Sequence, residues 1–258
     1  MEKRYLQYMS KQFQKVGIIG LGLIGGSIAK ALKAKGYYVA TVKSKSPDVA
    51  KARKVIDRVF PTLNALIQEV DLLVLATPLS TIIPIAREIA SDRRLLVIDV
   101  GSVKGEIVRE FERLTKGSVE FLSTHPMAGN EKSGFAASDP KLLEDAPWII
   151  VPHAKNKTKI ASWIRMLGAK PLTMEADEHD RKTALVSHLP ALISKTLWDF
   201  VQAKEPSSVK IAGPGFRSMT RLAHGNQQLM NEIEKANQIQ IERLWKEWLD
   251  FASKSCYN

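Results

Sequence analysis

A doubly wound parallel α/β domain followed by an all-helical one is the fold class this sequence predicts, and three observations carry the prediction. Short apolar runs alternate with helical patterns from residue 15 to about 174, as in a sheet built from strand-helix-strand units. The first of those runs opens directly into a glycine-rich turn. Past residue 174 only helical periodicity remains, over residues 175–258. Residues 1–14 are read as an N-terminal extension.

The elements follow in order. Residues 16–20, VGIIG, form a short apolar strand; Gly22, Gly25 and Gly26 follow, then a helical pattern that stops at Gly36. YYVATV makes the second strand. Later apolar runs at DLLVLATP, RRLLVIDVG, VEFLSTHP and PWIIVP alternate with helical stretches such as TIIPIAREIA and GEIVREFERL, so all are expected in one parallel sheet. KIASWIRMLGAKPLTM supplies the last helix-strand pair. In the helical part, HDRKTALVSHLPALISKTLWDFVQ is followed by a break at Gly213-Pro214-Gly215 and a tail where Leu244, Trp245, Trp248 and Leu249 form one apolar stripe. About 84 residues bury only a modest core alone, so the stripe is expected to pack on a second copy, in a homodimer.

Composition sets the class. The chain has 258 residues, 45% apolar and 25% charged, an ordinary globular balance. No apolar run approaches the roughly 18 residues of a membrane helix, so no membrane partner is expected and the location is read as cytoplasmic. The single cysteine, Cys256, excludes an internal disulfide and a cysteine-rich metal site, and no metal is assigned. A net charge of +11 is compatible with nucleic acid or with anionic small molecules and decides little by itself; Lys and Arg are scattered without a long run, which reads as a solvated basic surface, and no nucleic-acid partner is assigned.

Gly20-Leu21-Gly22-Leu23-Ile24-Gly25 satisfies G-x-G-x-x-G between a strand and a helix, the Rossmann-type setting for a dinucleotide. Gly20, Gly22 and Gly25 permit the tight turn and close approach of a pyrophosphate, and Leu23 and Ile24 offer amides at the helix start. Thr77 and Pro78, closing DLLVLATP, join the cofactor-binding set. After the second strand a carboxylate is expected for the ribose hydroxyls, yet Lys43, Ser44 and Lys45 stand there, which points to NADP over NAD. The alternative is a solvated loop, with Asp48 serving the ribose. Two more stretches lie at predicted strand ends: residues 99–105, DVGSVKG, and residues 123–134, STHPMAGNEKSG. His125, strand-terminal and held by the following proline, suits proton transfer near neutral pH or a structural hydrogen bond.

GLGLIGGSIAKAL, DVGSVKG, HPMAGNEKSGF, DAPWIIVP, DEHDR, SHLP and GFRSMTRLA occur in that order. Through them the sequence resembles the prephenate and arogenate dehydrogenases of tyrosine biosynthesis. The resemblance implies oxidation of a cyclohexadienol at C4 with loss of the ring carboxylate as carbon dioxide. It implies His125 as acceptor for the C4 hydroxyl and Ser102 as a second group on that hydroxyl, also orienting the nicotinamide. Arg221 matches the substrate-carboxylate binder, with Arg217 as runner-up. His188 of SHLP resembles a substrate contact, and Glu131 a carboxylate at the mouth of the site. Asp177 of DEHDR is read as a helix cap. Ala191 departs from the second histidine of many prephenate-using members, so arogenate is expected to be accepted, with prephenate ranked slightly ahead. The end at Asn258 leaves no expectation of feedback through an appended regulatory domain. A nucleotide-sensing protein on nucleic acid would not need His125, Ser102 and Arg221 together, and a different hydroxy-acid dehydrogenase gives no reason for HPMAG and SHLP together.

Overall fold

The computed structural model describes residues 13–44, 46–152 and 154–255. Lys45, Cys256 and nearly all of the expected N-terminal extension lie outside them. The chain divides into two compact units, the first ending at Ala176 and the second beginning at Asp177.

The first unit is built on a six-stranded sheet of β1 (Lys15–Ile19), β2 (Tyr38–Val42), β3 (Arg58–Phe60), β4 (Leu72–Leu75), β5 (Leu95–Asp99) and β6 (Val119–Leu122). All neighbours are parallel, in the order β3-β2-β1-β4-β5-β6. This is the dinucleotide-binding order, with its switch point between β1 and β4. Both faces are covered. Leu72 and Val74 of β4 and Leu96 and Ile98 of β5 pack with Ile28 and Leu32 of α1 (Leu23–Ala34). Their alternates Leu73, Leu75, Leu95 and Val97 pack on the other face with Ile82 of α4 (Leu79–Arg87) and Phe111 of α5 (Gly105–Leu114). Two-residue alternation between two apolar layers is why these strands read as continuous hydrophobic runs, and each buried Leu or Ile contributes about 1.5–3 kcal/mol. Shorter helices α2 (Pro47–Lys51) and α3 (Leu63–Ile67) flank the β2–β4 side.

One expectation fails here. VEFLSTHP and PWIIVP do not extend the parallel sheet as single strands. The chain breaks at Ser123, and β7 (Thr124–Pro126) pairs antiparallel with β8 (Pro147–Ile150), which pairs in parallel with β9 (Lys170–Thr173) after α6 (Lys157–Met166). The cause is polar: Ser123 and Thr124 turn aside to bond Asp99. His125 is therefore not strand-terminal but the central residue of β7, opposite Ile149.

The second unit contains α7 (Ala176–Thr183), a π-helical turn at Ala184–His188 and α8 (Leu189–Lys204). Then come α9 (Pro214–Met219), α10 (Gln227–Ala236) and α11 (Gln238–Ser255). Ile241 and Leu244 of α11 are buried, while Trp245 and Trp248 are half-buried and stacked at 5.3 Å. Leu249 and Phe251 remain exposed. No helix among the described residues is long and apolar enough to cross a membrane.

Candidate active site

At the carboxyl end of β1 the three glycines have distinct geometric tasks. Gly20 has φ +91°, and a Cβ there would meet Ala76 O at 2.3 Å, so the turn crosses the end of β4 closely. A Cβ on Gly25 would meet Gly20 O at 1.9 Å, which seats α1 against the turn. Gly22 is the opposite case: nothing lies within 4 Å of where its Cβ would be. It is also the N-cap of α1 and makes no side-chain cap, so the helix presents the amides of its first turn, Leu23 and Ile24 included, without a capping carboxylate or hydroxyl. Thr77, next to this turn, has its Oγ1 buried without a hydrogen-bond partner among the described residues. An open cradle, an uncapped helix start and an orphaned hydroxyl at the switch point fit a dinucleotide. Pro78, exposed, is the N-cap residue of α4.

Beyond β2 the loop is polar and exposed. Lys43 N donates to Phe60 O (2.7 Å), which fixes its backbone beside β3, while its side chain faces solvent. Ser44 Oγ accepts from Ser46 N (3.1 Å) and Ser46 Oγ from Asp48 N (3.3 Å), so the serines shape the entry to α2. Asp48 Oδ1 accepts from Phe135 N at 3.0 Å. That carboxylate anchors the loop at Gly134, where φ is +79°.

At the ends of β5 and β6 a buried carboxylate gathers two loops. Asp99 Oδ2 accepts from Gly101 N (2.8 Å) and Lys104 Nζ (2.5 Å). Its Oδ1 accepts from Ser123 Oγ (2.7 Å) and Thr124 N (3.2 Å). Lys104 Nζ also donates to Thr124 O (2.8 Å), and Thr124 Oγ1 donates to Asp99 O (2.5 Å) while accepting from Trp148 Nε1 (3.0 Å). Neither side chain of the ion pair has exposed surface. Burial of both charges is costly, and the surrounding donors and acceptors offset it; removing one partner alone costs about 3–5 kcal/mol. Ser102 follows Gly101 and His125 follows Thr124, both half-buried. Glu131 lies further along the same loop, half-buried.

In the second unit His188 ends the π-turn with only 3% of its surface exposed. Burial pushes its pKa down to about 4, against a smaller upward pull from Asp180, so the ring is neutral at physiological pH. Asn237, buried between α10 and α11, donates Nδ2 to Asp180 O (2.8 Å), and the same nitrogen is 3.3 Å from His188 Nδ1. The Asp180 carbonyl can only accept, so Nδ2 is the donor to both, and His188 carries its proton on Nε2. Arg221 opens a short 3₁₀ turn (Arg221–His224) that Ser194 Oγ holds by accepting from Ala223 N (3.0 Å). Both Arg221 and Arg217 are exposed, and Arg217 Nε donates to Ala212 O (3.3 Å). Ala191 is buried in α8. Asp177 corrects an expectation: it lies inside the first turn of α7, favourable to the helix dipole, and does not cap it.

Within the first unit, then, the glycine turn, Thr77, the Ser102 loop and the β7 strand follow from the carboxyl ends of β1, β4, β5 and β6, where open sheets bind ligands. Such a sheet, with a cradle for a dinucleotide and a serine and histidine from the same edge, defines a dinucleotide-dependent oxidoreductase. Comparison with known proteins narrows the class. Residues 28–170 match the nucleotide-binding domain of prephenate dehydrogenase, and residues 175–255 match its dimerization domain. The chain belongs to the prephenate dehydrogenase family. It is 35% identical over 250 residues to a prephenate dehydrogenase of Lactococcus lactis, covering 92% of this chain and 70% of that protein. With a cyclohexadienyl dehydrogenase of Zymomonas mobilis it shares 31% over 239 residues, 87% of this chain and 81% of the relative. A crystal structure of the A. aeolicus prephenate dehydrogenase in complex with hydroxyphenyl propionate and NAD+ superposes with TM-score 0.83 at 27% identity, covering 93% and 88% of the two chains. The Synechocystis arogenate dehydrogenase gives 0.73 at 26%, covering 93% and 90%.

Periodicity gave Asp99, Lys104 and Asn237 no task. A signal existed for the first: an acidic residue closing the apolar strand RRLLVID must find partners or stay in water. Asn237 carries no such mark.

Proposed function

We propose that the protein oxidises and decarboxylates a cyclohexadienol, prephenate or arogenate, in tyrosine biosynthesis. The observation that carries the reading is the junction at Asp99, which gathers the Ser102 loop and the His125 strand at the same sheet edge as the open Gly22 cradle. A bound nicotinamide supplies the acceptor for the hydride leaving C4, while the ring carboxylate departs as carbon dioxide and leaves its electron pair in the ring. His125 accepts the C4 hydroxyl's proton as positive character develops at that carbon. Ser102 holds the same hydroxyl and orients it. Arg221, or Arg217 beside it in sequence, binds a substrate carboxylate with its planar fork of donors. His188 contributes a neutral Nε2–H donor, and Glu131 guards the mouth of the site. Gly20, Gly22, Leu23, Ile24, Gly25, Thr77 and Pro78 hold the dinucleotide.

The cofactor is NADP in preference to NAD, supported by Lys43 and Ser44 after β2 and by the engagement of Asp48 with Phe135. The chain forms a homodimer through residues 175–258, supported by the dimerization-domain match and by the apolar side chains the helical unit exposes. The cytoplasm is the proposed location. Prephenate ranks ahead of arogenate, and Ala191 supports acceptance of both. Turnover followed by nicotinamide absorbance with prephenate, arogenate and simple hydroxy acids tests the proposal: activity on either cyclohexadienol is expected, and activity confined to hydroxy acids would overturn it.

A further inference from the structure

The tasks of Ser102 and His125 leave one feature unexplained: a lysine and an aspartate, each without exposed side-chain surface, joined where their two loops meet. We propose that Asp99 and Lys104 are positioning residues that hold the Ser102 loop and the His125 strand in one frame. The inference rests on the roles proposed above for Ser102 and His125.

The geometry divides the carboxylate between the loops. Oδ2 takes the amide of Gly101, the residue before Ser102, and Oδ1 takes the amide of Thr124, the residue before His125. One rigid plane therefore sets the spacing of two backbones that are far apart in sequence. Lys104 closes the frame by donating to Asp99 Oδ2 and to Thr124 O. Thr124 is thus held at its nitrogen, its carbonyl oxygen and its hydroxyl, the last donating to Asp99 O. A residue fixed at three points leaves the backbone direction into His125 little freedom.

The chemistry explains the choice of an ionised group. An amide, an ammonium, a hydroxyl and a second amide face the two oxygens. Two amides and an ammonium can only donate, so both oxygens must accept, which a carboxylate does and a carboxamide cannot. Fold stability alone does not demand this arrangement, because well-packed apolar pairs commonly replace a buried ion pair without loss. Having no exposed surface, neither side chain is offered to the substrate, and their effect passes through Ser102 and His125.

The test is Asp99→Leu/Lys104→Met, which removes both charges together and leaves none uncompensated. In the full chain, with the cyclohexadienol that the parent turns over, kcat should fall by roughly 10²-fold, the usual effect of a misplaced reacting group. Melting temperature should fall, because the buried Gly101 and Thr124 amides lose their acceptor, while nicotinamide affinity by calorimetry should stay near the parent's. A folded double variant with parental kcat overturns the inference. If the double variant does not fold, Ser123→Ala decides instead: it deletes one donor to Asp99 Oδ1 and keeps the ion pair. A kcat loss of about threefold or more at unchanged cofactor affinity supports positioning, and parental kcat rejects it. His125→Asn, run beside them, separates the two failures. Undiminished turnover there removes the site reading itself, whereas an inactive His125→Asn with a fully active double variant removes only the positioning role.

Discussion

The two units solve the same problem, holding a histidine, in different ways. In the first, His125 sits on a short strand beside a sheet whose strands are buried on both faces, and among the described residues only Val59 and Leu172 expose large apolar side chains there. In the second, His188 is itself buried within a polar cluster of Asp180 and Asn237, while Val186, Phe200, Ile211, Ile239 and Phe251 are exposed. The first unit carries a core of its own, so the residues at its edge can be exchanged without touching that core. The second has placed a functional candidate inside its packing and carries most of the exposed apolar side chains. Chemistry and stability should therefore separate in the first unit and move together in the second.

His125→Asn is the strongest test of the first half of that contrast. His125 is half-buried, and an amide of similar reach keeps β7 paired with β8. Turnover should fall by roughly 10²–10⁴-fold, the range for a positioned acid–base group. Melting temperature and cofactor affinity should barely change. A variant that loses stability in step with activity would erase the distinction between the units.

His188 tests the other half, through pH. Its pKa is about 4 when folded against 6.5 for a free histidine, with burial as the cause. A depressed histidine is neutral in the fold and takes a proton more readily when unfolded, so the unfolded chain binds more protons between these two values. Stability is accordingly full above about pH 6.5 and declines as pH falls towards 4, by about 3 kcal/mol in total. Denaturant unfolding of the parent and of His188→Gln at pH 7 and pH 4.5 isolates the effect from other carboxylates that titrate there. The parent should lose more stability on acidification than the variant does; equal losses would show that His188 is not protonated on unfolding.

What the sequence made legible follows the same division. The order of strands, the glycine turn and the helical second half are all written in local pattern, because period-two burial and the G-x-G-x-x-G spacing need only neighbouring residues. The break at Ser123 was not legible. It depends on Asp99, 24 residues earlier, drawing Ser123 and Thr124 off the line of β6. The π-turn at Ala184–His188 escaped for a related reason: the helical period through SHLP is unbroken, and nothing nearby in sequence marks the buried Asn237 that meets His188 from the next helices. Position was readable where burial is periodic, and unreadable where polar atoms meet across the fold.

The smallest expected effect concerns an exposed loop, where neither unit's packing is at stake. Lys43 has its amide fixed to Phe60 O, so the backbone after β2 is held while the ammonium faces water. An acidic residue at this point would accept from both ribose hydroxyls and repel a 2′-phosphate; a lysine reverses the preference. The competing reading needs Asp48 to reach the ribose with its second oxygen, because Oδ1 accepts from Phe135 N and ties the carboxylate to the loop at Gly134. A charge-assisted bond contributes about 1.5–3 kcal/mol, and screening at an exposed site trims it, leaving roughly tenfold in affinity at 1.4 kcal/mol per decade. Lys43→Asp should therefore lower catalytic efficiency with NADP by about tenfold, raise it with NAD, and leave kcat and melting temperature almost unmoved. The measurement is kcat/KM for both cofactors in parent and variant. Equal or better use of NAD by the parent would reject the NADP assignment, and an unaltered ratio in Lys43→Asp would take the preference away from this loop.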